Sequence, residues 1–300
     1  MATSLAPWPA PAAVLQLLKP ITWFPPMWAF GCGVVSSGLP PERHWPVIAL
    51  GIFLAGPMVC ATSQAVNDWF DRHVDAINEP DRPIPSGRVP GRWGINIAVL
   101  WTALSLAVAS LLGPWVLAAA TFGLVLAWLY SAPPIRLKQN GWWGNAAVGL
   151  CYEGLPWVTG AAVMLGGGAP RTEVLLLAGL YSLGAHGIMT LNDFKSMRGD
   201  ARMGIASLPV QLGAQGAAWL ACAVMALPQV IVVALLLGWG APLQALAVAA
   251  LLTIQLLLMW RFLQGPVERA TWYSALGVNF YVLGMLVSAF AVGAMARGGA

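Results

Sequence analysis

Carboxylates are concentrated in one short stretch of this chain. Only 9% of its 300 residues are charged, yet five acidic residues fall between positions 68 and 81: Asp68, Asp71, Asp75, Glu79 and Asp81. At about 100° per residue, the first three lie on one face of a helix. Carboxylates on one face repel each other unless a cation lies among them, and Mg²⁺ takes oxygen ligands. The spacing therefore predicts a Mg²⁺ site; the alternative is a solvated helix end with local Asp–Arg pairs.

The acidic pattern recurs in the second half of the chain. Asn67, Asp68 and Asp75 are repeated 125 residues later as Asn192, Asp193 and Asp200, and both sets end an apolar stretch. Ser196 stands where the first copy has Asp71. We interpret the repeat as two related helical halves that meet at a shared cavity. Two facing clusters would hold two Mg²⁺ ions on a diphosphate, so the predicted metal ligands are Asp68, Asp71, Asp75, Asp193 and Asp200.

Polar and basic residues adjoin both clusters. The amides of Asn67 and Asn192 would orient metal ligands or contact the diphosphate. The basic candidates for contacts to phosphate oxygens are Arg72, Arg82, Lys138, Lys195, Arg198 and Arg202. Arg matches phosphate geometry and Lys acts as a point charge. For any one of these cations, the alternative is the general excess of Lys and Arg on the inner side of a membrane protein.

The composition predicts an all-α integral membrane protein. The chain is 59% hydrophobic with a mean hydropathy of +0.73, whereas soluble domains are near half apolar and a quarter charged. Apolar runs of about 20 residues recur, which predicts one membrane domain over residues 1–300. The nine predicted spans are 20–38, 46–68, 94–112, 115–131, 144–166, 172–193, 215–238, 242–262 and 273–295, after a lead-in or interfacial helix at 1–19. The four cysteines lie singly, which does not favour disulfides or zinc.

The basic residues also predict an orientation. With the N-terminus inside, twelve of the 15 Lys and Arg residues fall on the inner side, a strong bias under the positive-inside rule. The C-terminus is then periplasmic, and both acidic clusters open toward the cytoplasm. A transporter is disfavoured because its polar residues would lie near the bilayer midplane. A pigment-binding scaffold without catalysis would not explain two acidic clusters, and a net charge of +4 spread over loops does not indicate nucleic-acid binding.

Three further residues could contact a flat ring substrate. Tyr130 begins the inner loop 130–145, whose aromatic residues are either interfacial anchors or the wall of such a site. Glu153 lies inside a predicted span, as a functional carboxylate or as a neutral, hydrogen-bonded core residue. His186 lies seven residues before Asp193 and about 20° away on the same helix face. It would contact the substrate or the metal of a tetrapyrrole, or would only pack.

Several strings resemble one enzyme family. NDWFDRHVD at 67–75 resembles the NDxxDxxxD signature of the intramembrane aromatic prenyltransferase superfamily, which includes 4-hydroxybenzoate polyprenyltransferase and haem O synthase. Five longer strings resemble its chlorophyll synthase branch: ITWFPPMWAFGCG at 21–33, NDWFDRHVDAINEPDRPIPSGRVPGRWG at 67–94, YSAPPIRLKQNGWWGN at 130–145, YEGLPWVTGAA at 152–162 and LNDFKSMRGDARMGIASLPVQLG at 191–213. GAHGIMTLNDF at 184–194 is similar to the bacteriochlorophyll-forming members from purple phototrophs.

The resemblance implies nine transmembrane helices and a cytoplasmic active site in a bacterial inner or intracytoplasmic membrane. The implied reaction is Mg²⁺-dependent esterification of the propionate of bacteriochlorophyllide a by geranylgeranyl diphosphate or phytyl diphosphate. Chlorophyllide a, a quinone-precursor ring or haem are the alternative acceptors.

The family's first motif falls on Asn67, Asp68, Asp71 and Asp75. Its second motif is often DxxxD, but Ser196 replaces the first Asp here. Whether Asp193 makes that contact instead is left open.

Overall fold

The computed structural model describes residues 8–298, and its regular structure there is helical, without a β-strand. The predicted all-α class is therefore confirmed. In chain order, the α-helices of residues 8–298 are α1 (Pro11–Leu17), α2 (Phe24–Ser36), α3 (Trp45–Phe53), α4 (Ala61–Asn78), α5 (Trp93–Leu111), α6 (Pro114–Ser131), α7 (Gly141–Gly149), α8 (Leu155–Met164), α9 (Thr172–Asp193), α10 (Met197–Met203), α11 (Leu208–Gly238), α12 (Pro242–Leu263) and α13 (Pro266–Gly298). Helix α1 lies in the predicted lead-in segment, whose residues 1–7 lie outside the described part.

Seven helical stretches of residues 8–298 are long and apolar enough to cross a membrane. They are Trp45–Asn78, Trp93–Leu111, Pro114–Ser131, Thr172–Asp193, Leu208–Gly238, Pro242–Leu263 and Pro266–Gly298. They coincide with seven of the nine predicted spans. The other two predicted spans, 20–38 and 144–166, fall on α2 and on the stretch from α7 to α8, and they stay predictions.

Two of the helical stretches contain a π-helical segment. The segment Leu54–Cys60 joins α3 to α4, and the segment Leu150–Gly154 joins α7 to α8. A π-helical turn widens the helix locally and often occurs next to a functional site. Both segments contribute residues to the same apolar cavity, so the widened turns lie next to a cavity in the helix packing.

Helices α2 and α8 approach each other closely because glycines face the partner backbone. A Cβ on Gly33 would lie 2.0 Å from the carbonyl oxygen of Trp157, and a Cβ on Gly160 would lie 2.1 Å from that of Phe30. Small residues permit such close packing of membrane helices. The indole Nε1 of the fully buried Trp157 donates to Ser36 Oγ at 2.9 Å. This contact fixes α2 against α8, and both helices contribute to the wall of the apolar cavity.

Candidate active site

A cavity of about 410 Å³ lies where the two acidic clusters meet. Helix α4 contributes Asn67, Asp71 and Asp75, the last residue of α9 contributes Asp193, and the short helix α10 contributes Asp200. Three basic side chains also line this polar cavity, namely Arg82, Arg136 and Lys138. Residues 125 positions apart in the sequence therefore face one space, with carboxylates and cations on its walls.

A backbone contact between two loops lies at the wall of this cavity. Asn140 and Ala206 form an isolated parallel bridge. In this contact the N–H of Gly141 donates to the carbonyl of Ala206 at 2.8 Å, and the N–H of Ala206 donates to that of Gln139 at 2.9 Å. A Cβ on Gly141 would lie 2.6 Å from the backbone nitrogen of Leu208, so only glycine fits there. The bridge holds the loop after α6 against the loop before α11.

Cations of the same chain surround Asp71. The ammonium of Lys138 donates to Asp71 Oδ1 at 2.6 Å, and Arg136 Nη2 donates to the same oxygen at 3.3 Å. The amide of Asn67 donates to Asp71 Oδ2 at 3.0 Å. Charge-assisted hydrogen bonds of this kind stabilise the ionised carboxylate. Asp71 is thus fixed at the cavity wall by three donors of the same chain.

Arg82 joins the other carboxylates of the first cluster. Its Nη1 donates to Asp75 Oδ2 at 2.9 Å and to Asp68 Oδ1 at 3.3 Å. Its remaining nitrogens form an ion pair with Glu79. The guanidinium thereby ties the loop after α4 to the last turns of that helix.

Asp68 lies beneath the cavity wall and does not line the cavity. It is 1% exposed, and its Oδ1 accepts a hydrogen bond from Lys19 Nζ at 2.7 Å. Its Oδ2 is buried without a hydrogen-bond partner. The carboxylate is therefore held by Lys19 and Arg82, and the predicted metal contact of Asp68 stays a prediction.

The carboxylates of the second cluster, Asp193 and Asp200, accept hydrogen bonds from neutral side chains and have no basic partner in the described part of the chain. Asn145 Nδ2 donates to Asp193 Oδ2 at 3.0 Å, and Ser196 Oγ donates to Asp200 Oδ2 at 2.8 Å. Among residues 8–298, no Lys or Arg side chain forms an ion pair with either aspartate. The carboxylates on this side of the polar cavity remain uncompensated, which favours a bound cation.

The donor chemistry of the polar cavity fits Mg²⁺. Its lining offers carboxylate and amide oxygens, the ligands that this ion prefers. No three His, Cys, Asp or Glu side chains within the described range lie together as a ready-made metal site. Mg²⁺ is usually held by one or two carboxylates together with substrate phosphates. The uncompensated Asp193 and Asp200, with Asp71 and Asp75 opposite, suit that arrangement.

Five of the predicted diphosphate contacts lie away from both cavities. The guanidinium of Arg72 stacks 4.2 Å over the ring of Trp69 and donates to its carbonyl oxygen. The other four, Asn192, Lys195, Arg198 and Arg202, are exposed. The chain turns between α9 and α10, and this turn brings Asp193 and Asp200 to the cavity while their neighbours face outward. Of the predicted basic contacts, the structure brings Arg82 and Lys138 to the site.

An apolar cavity of about 260 Å³ adjoins the polar one. Asn67 and Tyr130 line both. The walls of the apolar cavity include small residues such as Ala120 and Gly123. Its lining also includes the hydroxyl of Tyr152, which accepts a hydrogen bond from Gln64 Nε2 at 3.3 Å. The site therefore consists of a charged compartment and an apolar compartment with a shared boundary.

The other two predicted pigment contacts lie outside both cavities. Glu153 is buried, and its Oε2 has no hydrogen-bond partner. His186 is also buried, with Nε2 3.3 Å from the carbonyl oxygen of Trp142 and Nδ1 without a partner. Their predicted contacts with the pigment stay predictions, whereas Tyr130 does line the site.

Four residues at the site were not among the predicted contacts. They are Lys19, Arg136, Asn145 and Ser196. Arg136 and Asn145 fall within the family-like string 130–145, and this position could have indicated them. Ser196 replaces an Asp of the usual second motif. The sequence carries no local signal for Lys19, since 49 positions separate it from Asp68.

Comparisons with known proteins agree with this geometry. The chain matches the UbiA prenyltransferase family over residues 22–284. It is 58% identical to the bacteriochlorophyll synthase 33 kDa chain of Cereibacter sphaeroides over 284 residues, covering 95% of this chain and 94% of that relative. It is 40% identical to the chloroplastic chlorophyll synthase of Oryza sativa subsp. japonica over 292 residues, covering 92% of this chain and 76% of that relative.

A solved structure shares the fold. A UbiA homologue from Archaeoglobus fulgidus, bound to GPP and Mg²⁺, superposes with a TM-score of 0.70 at 19% identity. The superposition covers 91% of this chain and 99% of that chain. This likeness extends over most of the helical architecture.

Proposed function

This chain belongs to the UbiA prenyltransferase family, and we propose that it esterifies the propionate of bacteriochlorophyllide a with geranylgeranyl diphosphate or phytyl diphosphate. Diphosphate is released, and the product is bacteriochlorophyll a. One observation carries the proposal: a cavity lined by carboxylates and cations adjoins an apolar cavity through Asn67 and Tyr130. The name of the 58% identical relative supports the pigment acceptor.

The two cavities match the two parts of a prenyl diphosphate. The diphosphate lies in the polar cavity, near Arg82, Arg136 and Lys138, and the first isoprene units lie in the apolar cavity. Asn67 and Tyr130 then flank the carbon that reacts, because they line both cavities. Apolar walls exclude water from this boundary, which protects the activated carbon from hydrolysis.

Bond cleavage in the donor is the difficult step. The bond between C1 of the prenyl chain and the diphosphate oxygen breaks, and a propionate oxygen of the pigment forms a bond to C1. Mg²⁺, when bound, stabilises the charge of the leaving diphosphate. Lys138 is within reach of the same charge from the wall of the cavity. A carboxylic acid is already ionised near neutral pH, so the acceptor requires no general base.

The membrane topology belongs to the same proposal. We propose nine transmembrane spans in two related halves, with the polar cavity open to the cytoplasm. The N-terminus is then cytoplasmic and the C-terminus periplasmic, in the inner or intracytoplasmic membrane of a bacterium. The distribution of Lys and Arg along the sequence supports this orientation.

An ester-formation assay tests the proposed reaction. Membranes of a non-phototrophic host that expresses the chain would receive geranylgeranyl diphosphate and Mg²⁺, with bacteriochlorophyllide a and chlorophyllide a offered separately. We expect a prenyl ester from bacteriochlorophyllide a. Product from chlorophyllide a alone would instead support the second candidate, which the 40% identical chlorophyll synthase suggests. No ester from either pigment, with the protein folded, would contradict the proposal.

The alkaline limit of the reaction is expected to depend on Lys138. Burial lowers the pKa of its ammonium group, and the charge and hydrogen bond of Asp71 oppose this effect. A lowered pKa means that the ammonium loses its proton at a lower pH than an ordinary lysine. Binding of the donor should therefore weaken as the pH rises. Arginine stays protonated, so Lys138→Arg should shift this loss to higher pH in a profile of kcat/KM for geranylgeranyl diphosphate. If Lys138→Arg left the alkaline limb of this profile unchanged, the role assigned to Lys138 in binding the donor would be contradicted.

A further inference from the structure

Two basic residues near the first acidic cluster have unusual backbone conformations. Within residues 8–298, only Lys19 and Arg136 combine a positive φ with a side chain other than glycine, at 48° and 41°. A left-handed conformation costs free energy for such residues and persists only where the surrounding structure imposes it. Both are cations, and each donates to a different aspartate of α4: Lys19 to Asp68 and Arg136 to Asp71.

The surroundings of Lys19 fix its conformation. Leu17 is 0% exposed and Leu18 is 5% exposed, and both belong to a hydrophobic cluster that includes residues of α4 and α5. The indole Nε1 of Trp23 donates to the carbonyl of Leu18 at 2.8 Å, and Thr22 Oγ1 donates to the carbonyl of Lys19 at 2.8 Å. The turn is thus anchored on both sides of Lys19. Its side chain projects from this rigid turn to the buried carboxylate of Asp68.

Arg136 is fixed in a comparable way. Its N–H donates to the carbonyl of Ala132 at 3.0 Å, and its carbonyl accepts from the N–H of Gln139 at 2.8 Å. Its Nε is buried without a hydrogen-bond partner. Charge neutralisation alone would not require a strained backbone and an unsatisfied donor, because a long side chain on a relaxed backbone could supply the same charge. The strained turns instead determine where each cation, and hence each carboxylate, is held.

We propose that Lys19 and Arg136 are positioning residues, which hold the carboxylates of Asp68 and Asp71 in the geometry that binds the diphosphate of the donor. This inference rests on the proposed function. Lys19 acts through Asp68 and Arg82, since Asp68 lies beneath the cavity wall and shares Arg82 with Asp75. Arg136 acts directly on Asp71 at the wall of the cavity. Each cation therefore holds one carboxylate of the first cluster in position.

A double-mutant cycle on Lys19 and Asp68 tests the proposal. The Kd of geranylgeranyl diphosphate would be measured by calorimetry with Mg²⁺ on purified Lys19→Met, Asp68→Asn and the double variant, together with the Tm of each protein. We expect Lys19→Met to raise this Kd at least about tenfold, the scale of a lost charge-assisted hydrogen bond. In the Asp68→Asn background, the same change should alter it by less than about twofold, because the two residues act as a unit. Lys19→Arg should restore most of the affinity.

Matched controls separate positioning from a structural role. Gln16→Ala removes another polar contact of the same N-terminal segment, a hydrogen bond from Arg88, and should leave the Kd unchanged. Arg136→Met should raise the Kd. Arg136→Gly relaxes the backbone but also removes the cation, so its Kd should be at least as high as that of Arg136→Met. Additive effects of Lys19→Met and Asp68→Asn, or equal losses in Lys19→Met and Gln16→Ala, would overturn the inference. A wild-type protein that binds no donor would overturn the proposed function itself.

Discussion

Asp71→Asn is expected to lower turnover at least about a hundredfold, the scale of losing one preorganised electrostatic contact in an active site. The carboxylate of Asp71 lines the polar cavity and accepts from Lys138, Arg136 and Asn67. The asparagine retains the size of the side chain but removes its charge. Lys138 and Arg136 would then lose the anion with which they pair. Both the Mg²⁺ dependence and the affinity for the donor should change.

Asp81→Asn is the matched control for this prediction. It makes the same chemical change in the loop after α4, at an exposed position outside both cavities. Its turnover and its Tm should stay close to those of the wild type. Initial rates with geranylgeranyl diphosphate, measured across a series of Mg²⁺ concentrations, compare the two variants. Near-normal Mg²⁺-dependent turnover in a folded Asp71→Asn protein would rule out the role of this carboxylate.

The first acidic cluster shows what sequence spacing can and cannot predict. Helical periodicity placed Asp68, Asp71 and Asp75 on one face of a helix, and α4 is continuous through all three. Within that face, however, Asp71 and Asp75 reach the cavity whereas Asp68 lies beneath its wall. Beneath the wall, Asp68 is paired with the side chain of Lys19, which approaches from a turn 49 positions earlier. Spacing within one helix contains no information about such a partner.

The second cluster shows a different limit. The repeat predicted that Asp193 and Asp200 would face the first cluster, and the structure brings both to the polar cavity. The cations near this cluster were also predicted to contact the diphosphate, yet Arg198 and Arg202 are exposed. The reason is the turn between α9 and α10, where the first copy has an unbroken helix. The two aspartates of the second copy therefore reach the cavity despite this turn, whereas the cations beside them face outward.

Hydropathy predicted the helical architecture and the family motifs predicted its membership of the UbiA prenyltransferases, and both are confirmed. Neither could predict the apolar cavity. Residues of two π-helical segments, Leu54–Cys60 and Leu150–Gly154, form part of its wall. The apolar sequence of such a segment cannot be distinguished from that of any other buried helix. The charged half of the site could therefore be located from the sequence, while the apolar cavity emerged only from helix packing.

Filling the apolar cavity is expected to produce the second large loss of activity. Gly123→Phe should lower kcat/KM for geranylgeranyl diphosphate about a hundredfold, since overpacking a close-fitting apolar site costs up to about 3 kcal/mol. A Cβ on Gly123 would lie 3.4 Å from Leu155 Cδ1 and 3.9 Å from Val59 Cγ1, so a methyl group fits but a benzyl group must occupy the cavity. The loss should be smaller with dimethylallyl diphosphate, which has only one isoprene unit to accommodate.

Two further variants of α6 distinguish a blocked cavity from a damaged helix. Val125→Phe adds the same ring two residues away, at a position that is 47% exposed and outside the cavity, and should retain activity. Gly123→Ala adds only the methyl group that the contacts permit and should stay near the wild type. An equal loss in Gly123→Phe for the long and the short donor, or a comparable loss in Val125→Phe, would show that the prenyl chain does not pass through this cavity. A selective loss for the long donor would place its isoprene units beyond the first against Gly123, further along the cavity from the boundary formed by Asn67 and Tyr130.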